Sequence, residues 1–278
     1  MKVLVAEKCG FCPGVRNAIN LAKKTLAEQK KVYSLGPIIH NEEVVRQLSQ
    51  AGLKTVESVE QIPNGDATVL IRSHGATQKE LEVLEKKGFR IVDATCVLVK
   101  RVQKIAHQLQ EEGYHVVIIG DKKHPEVKAV VGSAEGVDVV GDESDLDKIR
   151  KYKKLGVICQ TTQSPDFFAD MISRIGRLEF SEIKIINTLC RETMSRQEAA
   201  VKLCRQVDIM FVLGGLHSAN TRKLAELCKK HNPQTWHLQN WDELDISILS
   251  GKGVAGVTAG ASTPDEVIRE FVDKLKQI

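Results

Sequence analysis

Three cysteines, Cys12, Cys96 and Cys190, stand 84 and 94 residues apart, each closing a short β-branched run: KVLVAEKCGFC, FRIVDATC and IKIINTLC. Each is followed at once by a helix-patterned stretch. Three thiols delivered by equivalent strand-to-helix corners can meet on a pseudo-threefold axis, a geometry that suits a metal cluster with three protein ligands and one open position. Soft thiolates select zinc, copper(I) or iron–sulfur clusters. Structural zinc draws its ligands in close pairs and fills all four places, unlike these widely spaced single cysteines. A four-iron cluster ordinarily takes four cysteines; three leave one iron to act as a Lewis acid while feeding electrons to a substrate. The competing reading, small core residues at strand ends, suits any one cysteine better than all three. Cys9 has no counterpart in the other two copies, and with Cys12 it makes a C-x-x-C that alone reads as a dithiol redox pair. Cys159 inside the strand VICQ, and Cys204 and Cys228 on apolar helix faces, are expected in the core.

The elements that must position these thiols also recur. KKVYSLGPIIHNEEVV, GYHVVIIGDKKHPEVKAVV and VDIMFVLGGLHSANTRKLAEL each run as a strand, turn through Gly and reach a histidine (His40, His124, His217) before a helix. ATVLIRSHGATQKELEVL, LGVICQTTQSPDFFADMI and GVAGVTAGASTPDEVIREFV form a third set, each breaking into a Gly/Ser/Thr loop. Thr77, Ser164 and Thr263 are expected to cap the helices that follow. Three strand–helix units in each of three repeats predict nine strands. Apolar runs alternating with helices point to parallel sheets in an α/β class, organised as three α/β repeats at 13–95, 96–189 and 190–278.

The chain has 278 residues, 42% of them hydrophobic and 27% charged, an ordinary globular composition. Its apolar stretches are strand-sized and no charged-then-apolar leader opens it, so neither a signal peptide nor a membrane span is expected. A formal net charge of +4 is small and scattered, which argues against a nucleic-acid partner and favours a small anionic one. Seven cysteines in no compact framework fit a reducing, cytoplasmic setting better than structural disulfides.

Ligands of parallel sheets bind at the carboxyl ends of the strands, where helix N-termini present unpaired N–H groups. Those ends carry His40, Asn41, Ser73, His74, His124, Thr161, Thr162, Ser218, Asn220, Ser262 and Thr263. Hydroxyls, amides and imidazoles without a Walker lysine suit a diphosphate held by neutral or weakly charged donors. His107, His115, His231 and His237 fall off this loop pattern and read as ordinary helix or surface residues.

In order along the chain, GFCPGV, GPIIHN, RSHG, DATC, HPEV, QTT, NTLC with a downstream RQ, HSANT and GASTPD resemble the motifs of the 4-hydroxy-3-methylbut-2-enyl diphosphate reductase (IspH/LytB) family. The resemblance implies a trefoil of three small α/β domains around a central [4Fe-4S] cluster held by Cys12, Cys96 and Cys190. It also implies that the strand within 1–12 completes the sheet of the last domain. His40, His74, His124, Ser218, Asn220 and Ser262 would hold the substrate's diphosphate, with Glu126, Thr161 and His124 working near its hydroxyl group. By the same resemblance that hydroxyl binds the open iron, ferredoxin or flavodoxin supplies two electrons one at a time, and isopentenyl and dimethylallyl diphosphate result. Glu126 is expected early in a helix, where the dipole favours its anion, so proton delivery needs an opposing push, which a nearby diphosphate could supply by raising its pKa.

Departures cluster near these residues. Ala219 replaces the second serine of a Ser-Ser-Asn, Val97 a proline, and Glu192 an alanine, while Cys9 is extra. Glu192 facing a cavity would repel a diphosphate; facing solvent it would favour the helix start. Two further readings remain: a paralogue with the same cluster acting on a different small molecule, and a non-enzymatic metal or redox sensor switched by Cys9 and Cys12.

Overall fold

A computed structural model describes residues 1–216 and 218–278. The chain opens with β1 (Lys2–Val5) and α1 (Pro13–Glu28). The next stretch gives β2 (Val32–Leu35), α2 (Glu42–Gln50), β3 (Leu53–Val56), β4 (Thr68–Ile71), α3 (Gln78–Lys86) and β5 (Arg90–Asp93). The middle third follows with α4 (Val97–Glu111), β6 (His115–Ile119), α5 (Pro125–Val131), β7 (Asp138–Val140), β8 (Lys154–Cys159), α6 (Pro165–Ile175) and β9 (Glu182–Ile185). The last supplies α7 (Arg191–Cys204), β10 (Ile209–Leu213), α8 (Ala219–His231), β11 (Thr235–Leu238), β12 (Val254–Ala259) and α9 (Asp265–Lys276).

These strands form three four-stranded sheets, ordered β3-β2-β4-β5, β7-β6-β8-β9 and β1-β12-β10-β11, and every pairing is parallel. The α/β class therefore holds. Nine strands were expected and twelve are found among the described residues. The additional three, β3, β7 and β11, are edge strands of only 4, 3 and 4 residues. A short edge strand with polar positions carries no apolar run that a periodicity argument can detect. The central strands behave as anticipated: β2 and β4 are buried throughout, as are the last five residues of β8 and all of β10.

The cysteine-bearing strands β5, β9 and β1 each occupy the same place, the edge next to β4, β8 and β12. Each is exposed at its two ends and half-buried between them. Helices close on the sheets through their apolar stripes. In the sheet containing β10, Phe271 of α9 packs on Phe211 at 5.2 Å and on Trp241 at 5.4 Å between ring centroids. Such ring pairs add about 0.5–1.5 kcal/mol beyond area burial.

Two of the three expected caps form. Thr77 makes a capping box with Glu80, and the Ser164 hydroxyl accepts the Phe167 N–H at 3.2 Å. Thr263 does not cap. Pro264 takes the cap position of α9, and the Thr263 hydroxyl donates to the Leu213 carbonyl at 3.0 Å. That carbonyl already accepts the Gly260 N–H at 2.8 Å, and in this buried place its second lone pair has no water to use.

The chain divides into two compact units. One comprises Met1–Arg16, Ile39–Leu48 and Arg191–Ile278, and the other Asn17–Ile38 and Ser49–Cys190. Among the described residues no helix is long and apolar enough to cross a membrane. His217, expected to share the loop position of His40 and His124, lies outside the described residues.

Candidate functional site

The three cysteine corners are built alike at the level of single hydrogen bonds. Each backbone N–H donates to the carbonyl of the second residue beyond the neighbouring strand: Cys12 to Ala261 at 3.1 Å, Cys96 to Ser73 at 2.9 Å, Cys190 to Thr161 at 2.8 Å. Each cysteine is also the residue immediately before a helix, α1, α4 or α7. At the first corner the Val15 N–H reaches the Cys12 Sγ at 3.4 Å, so the sulfur sits where a capping oxygen would. A helix N-terminus stabilises a thiolate, the form that ligates metal. All three thiols are half-buried, whereas Cys159, Cys204 and Cys228 are buried in the sheet and helix cores.

Cys12 belongs to one unit, and Cys96 and Cys190 to the other. Among the described residues no group of three His, Cys, Asp or Glu side chains is assembled as a metal site. The donor set itself fits an iron–sulfur cluster: three matched, non-disulfide thiols on helix N-termini, chemically distinct from the core cysteines. Cys9 is different. It packs against the core cluster around Phe211 and Phe271, and burial pushes its thiol up to about 11 despite the nearby Arg196. Its thiol is therefore a poor source of thiolate, and its packing against this core sets it apart from the three corner cysteines.

Within the larger unit, β6 leads to His124, which caps α5, and the next turn presents Glu126. The Glu126 carboxylate is 1% exposed and grips Thr161, accepting its N–H at 2.6 Å and its hydroxyl at 2.8 Å. The Thr161 carbonyl in turn holds the Cys190 amide, so the buried acid is one residue removed from a cluster-candidate thiol. Two contacts fix this loop pair: the Gln160 side chain accepts the Asp121 N–H at 3.0 Å, and Gly120 leaves Gln160 space where an added Cβ would lie only 2.9 Å away. His124 Nδ1 accepts the Glu126 N–H at 3.2 Å, which places the proton of the neutral ring on Nε2. His74 meets this ring edge-on, 5.6 Å between centroids.

Burial raises the Glu126 carboxyl from 4.5 to about 7, and the two Thr161 hydrogen bonds oppose the rise. Burial thus supplies the opposing push, for which the sequence offered a nearby diphosphate as one source. A carboxyl poised near neutrality, held by a hydroxyl, is suited to proton transfer.

Within the other unit, the Ser262 hydroxyl donates to the His40 carbonyl at 3.0 Å. Ser218 caps α8, accepting the Thr221 N–H at 3.3 Å and the Thr221 hydroxyl at 3.0 Å. Asn220 lies half-buried in the first turn of α8, beside Ala219. Small residues make this packing possible: a Cβ on Gly260 would fall 2.1 Å from Thr221 Oγ1. Asn41 caps α2, its side-chain oxygen accepting the Val44 N–H at 3.0 Å. Glu192 pairs with Lys8 at 3.7 Å, both partly exposed, so its charge is compensated at the surface.

Arg196 was visible only as part of the RQ dipeptide and received no role from the sequence. It is 6% exposed, and its Nη1 donates to the Ala259 carbonyl at 2.9 Å, fixing the exit of β12 two residues before the carbonyl that binds the Cys12 amide. His115, stacked on Tyr152 at 3.4 Å and bound to Asp138 at 2.8 Å, is structural.

The family model described as LytB protein matches residues 3–276. A 4-hydroxy-3-methylbut-2-enyl diphosphate reductase of Geobacter metallireducens is 42% identical, with 100% of this chain and 98% of the relative covered. The enzyme of the same name from Aquifex aeolicus is 41% identical over 99% of this chain and 96% of its own. A solved (E)-4-hydroxy-3-methyl-but-2-enyl diphosphate reductase, described as the terminal enzyme of the non-mevalonate pathway, superposes with a TM-score of 0.77 at 40% identity, both chains covered in full (100%). The E-1-hydroxy-2-methyl-but-2-enyl-4-diphosphate reductase from Plasmodium falciparum gives 0.92 at 30% identity, over 99% of this chain and 88% of that one. With its strand order, its cysteine corners and a match along nearly its whole length, the chain belongs to the LytB protein family.

Proposed function

We propose that this chain is a 4-hydroxy-3-methylbut-2-enyl diphosphate reductase, removing the allylic hydroxyl group to give isopentenyl and dimethylallyl diphosphate. Two electrons and two protons are consumed, one C–O bond is replaced by a C–H bond, and the oxygen leaves as water. The observation that carries the reading is the buried Glu126 carboxyl, poised near neutrality on Thr161, whose carbonyl holds the Cys190 amide.

Cys12, Cys96 and Cys190 would hold a [4Fe-4S] cluster, which supplies the electrons and a Lewis-acidic iron with an open position. His40, His74, His124, Ser218, Asn220 and Ser262 would bind the diphosphate. The proton assigned to His124 Nε2 would be directed at that anion, a charge-assisted hydrogen bond. Glu126 would release a proton to the departing oxygen through the Thr161 hydroxyl and regain one from solvent afterwards. The missing hydroxyl at Ala219 removes one donor, roughly 1.5–3 kcal/mol of anion binding where nothing replaces it. Glu192 pairs with Lys8 across a partly exposed surface, which lessens its repulsion of an anion.

The division into repeats 13–95, 96–189 and 190–278, with the strand of 1–12 serving the third, belongs to the same proposal, as does a cytoplasmic setting with ferredoxin or flavodoxin as electron donor. The test is anaerobic reconstitution followed by turnover of 4-hydroxy-3-methylbut-2-enyl diphosphate. Formation of both five-carbon diphosphates supports the assignment; an iron-loaded protein that converts none of the substrate overturns it.

A further inference from the structure

We propose that the outer face of α4 is the docking surface for an acidic one-electron carrier protein, delivering its electrons beside Cys96. The inference rests on the reductase reading above and adds where the reductant binds. Val97, Lys100, Arg101, Lys104 and Gln108 recur at helical spacing and all are exposed, while Val99, Val102, Ala106 and Leu109 bury the opposite face. Val97 is 75% exposed, an unusual position for a large aliphatic side chain and the most open of those among the described residues. It directly follows Cys96, the N-cap of the helix. From Val97 to Gln108 the stripe runs about 16 Å at 1.5 Å per residue.

Its charge has one sign. Lys100, Arg101 and Lys104 lie along it, and α4 contains no carboxylate before Glu111, its last residue. Lys100 is held by Asp93 at the end of the preceding strand, leaving Arg101 and Lys104 to define the field of the stripe. An apolar tip beside a redox centre, flanked by cations, complements a carrier whose own centre lies among carboxylates. Attraction of that kind steers encounter and sets orientation more than it adds affinity. A reductase that consumes two electrons per turnover must meet such a carrier twice, each encounter oxidising one carrier by one electron. Short contact area and salt-sensitive attraction suit that brief exchange.

The experiment uses the reconstituted full chain with two reductants: a reduced acidic plant-type ferredoxin and reduced methyl viologen, a small cation that needs no docking surface. The variant is Arg101→Glu with Lys104→Glu; the control is Lys23→Glu with Lys24→Glu, an exposed basic pair on α1. At low ionic strength the double variant on α4 is expected to lose roughly tenfold or more of the ferredoxin-supported rate, with the viologen-supported rate within about twofold of wild type. Val97→Asp should act the same way. A direct titration with the same ferredoxin should show Kd weakened roughly tenfold by the α4 variant and unchanged by the α1 control. The proposal is overturned if the ferredoxin rate and Kd survive charge reversal, or if the α1 control loses as much. It is also overturned if the viologen rate falls in parallel. Failure of the wild type to turn over with viologen refutes the reductase reading instead, and the titration still decides the docking surface.

Discussion

Glu126→Gln should change how stability depends on pH, by an amount the structure sets. Burial moves this carboxyl from 4.5 to about 7. Between those values the folded chain retains a proton that the unfolded chain has released, so stability falls as pH rises. The cost is absent below about 4.5 and complete above about 7, and at about 1.4 kcal/mol per pH unit it reaches roughly 3 kcal/mol. Glutamine cannot ionise, yet its carbonyl can still accept the Thr161 N–H and its amide can donate to the Thr161 hydroxyl oxygen. Urea unfolding of the cluster-free wild type and variant, run in parallel from pH 5 to pH 9, isolates this group by difference. The variant should gain on the wild type progressively, by up to about 3 kcal/mol, and the gain should level off above pH 7 to 8. Turnover should move the opposite way, falling by roughly 10²–10⁴ as the general acid is lost. A stability difference that stays constant with pH would refute the claim that burial holds Glu126 near neutrality. An E126Q enzyme with wild-type turnover would remove its proton-delivery role.

The same geometry fixes other outcomes. Thr161→Val deletes both the proposed hydroxyl relay and a hydrogen bond that favours the Glu126 anion, so turnover should fall and the alkaline limb of the residual pH–rate profile should shift upward; an unshifted limb contradicts the coupling. Cys9→Ala should cost about 1 kcal/mol in chemical denaturation and leave iron loading unchanged, as befits a core thiol; loss of iron would make Cys9 a ligand. Gly260→Ala drives a Cβ to within 2.1 Å of Thr221 Oγ1, so it should disturb the Ser218 cap, raise KM for the diphosphate substrate and destabilise by about 1–3 kcal/mol. A KM equal to wild type would take Ser218 out of the binding site.

The cysteine corners were legible because three β-branched runs end alike, and a repeat in sequence becomes a repeat in hydrogen bonding: Cys12, Cys96 and Cys190 each donate to the same position of a neighbouring loop. Composition and periodicity did not reveal their place at sheet edges, because strand order depends on pairing across tens of residues. That Lys2–Val5 joins the last sheet, pairing with Val254–Val257, was implied by the family resemblance alone. Short edge strands such as Asp138–Val140 carry too few apolar residues to stand out. Thr263 looked like its counterparts Thr77 and Ser164, but a buried strand-end carbonyl, invisible in sequence, captured its hydroxyl. For Glu126 the residue was identified and the cause of its pKa was not, since desolvation belongs to the packed fold. Glu192 was undecided for the same reason: Lys8, its partner, is remote in the chain. The buried Arg196 shows the converse, a charged residue in a helix whose burial against the Ala259 carbonyl no local pattern announces.

The most direct test is iron and acid-labile sulfide analysis of protein reconstituted without oxygen, on the wild type and on Cys12→Ser, Cys96→Ser and Cys190→Ser. About four irons per chain are expected in the wild type, with turnover abolished by each of the three substitutions. A wild type that takes up no iron, or any one of these variants turning over at the wild-type rate, would contradict the assignment of these thiols to a catalytic cluster.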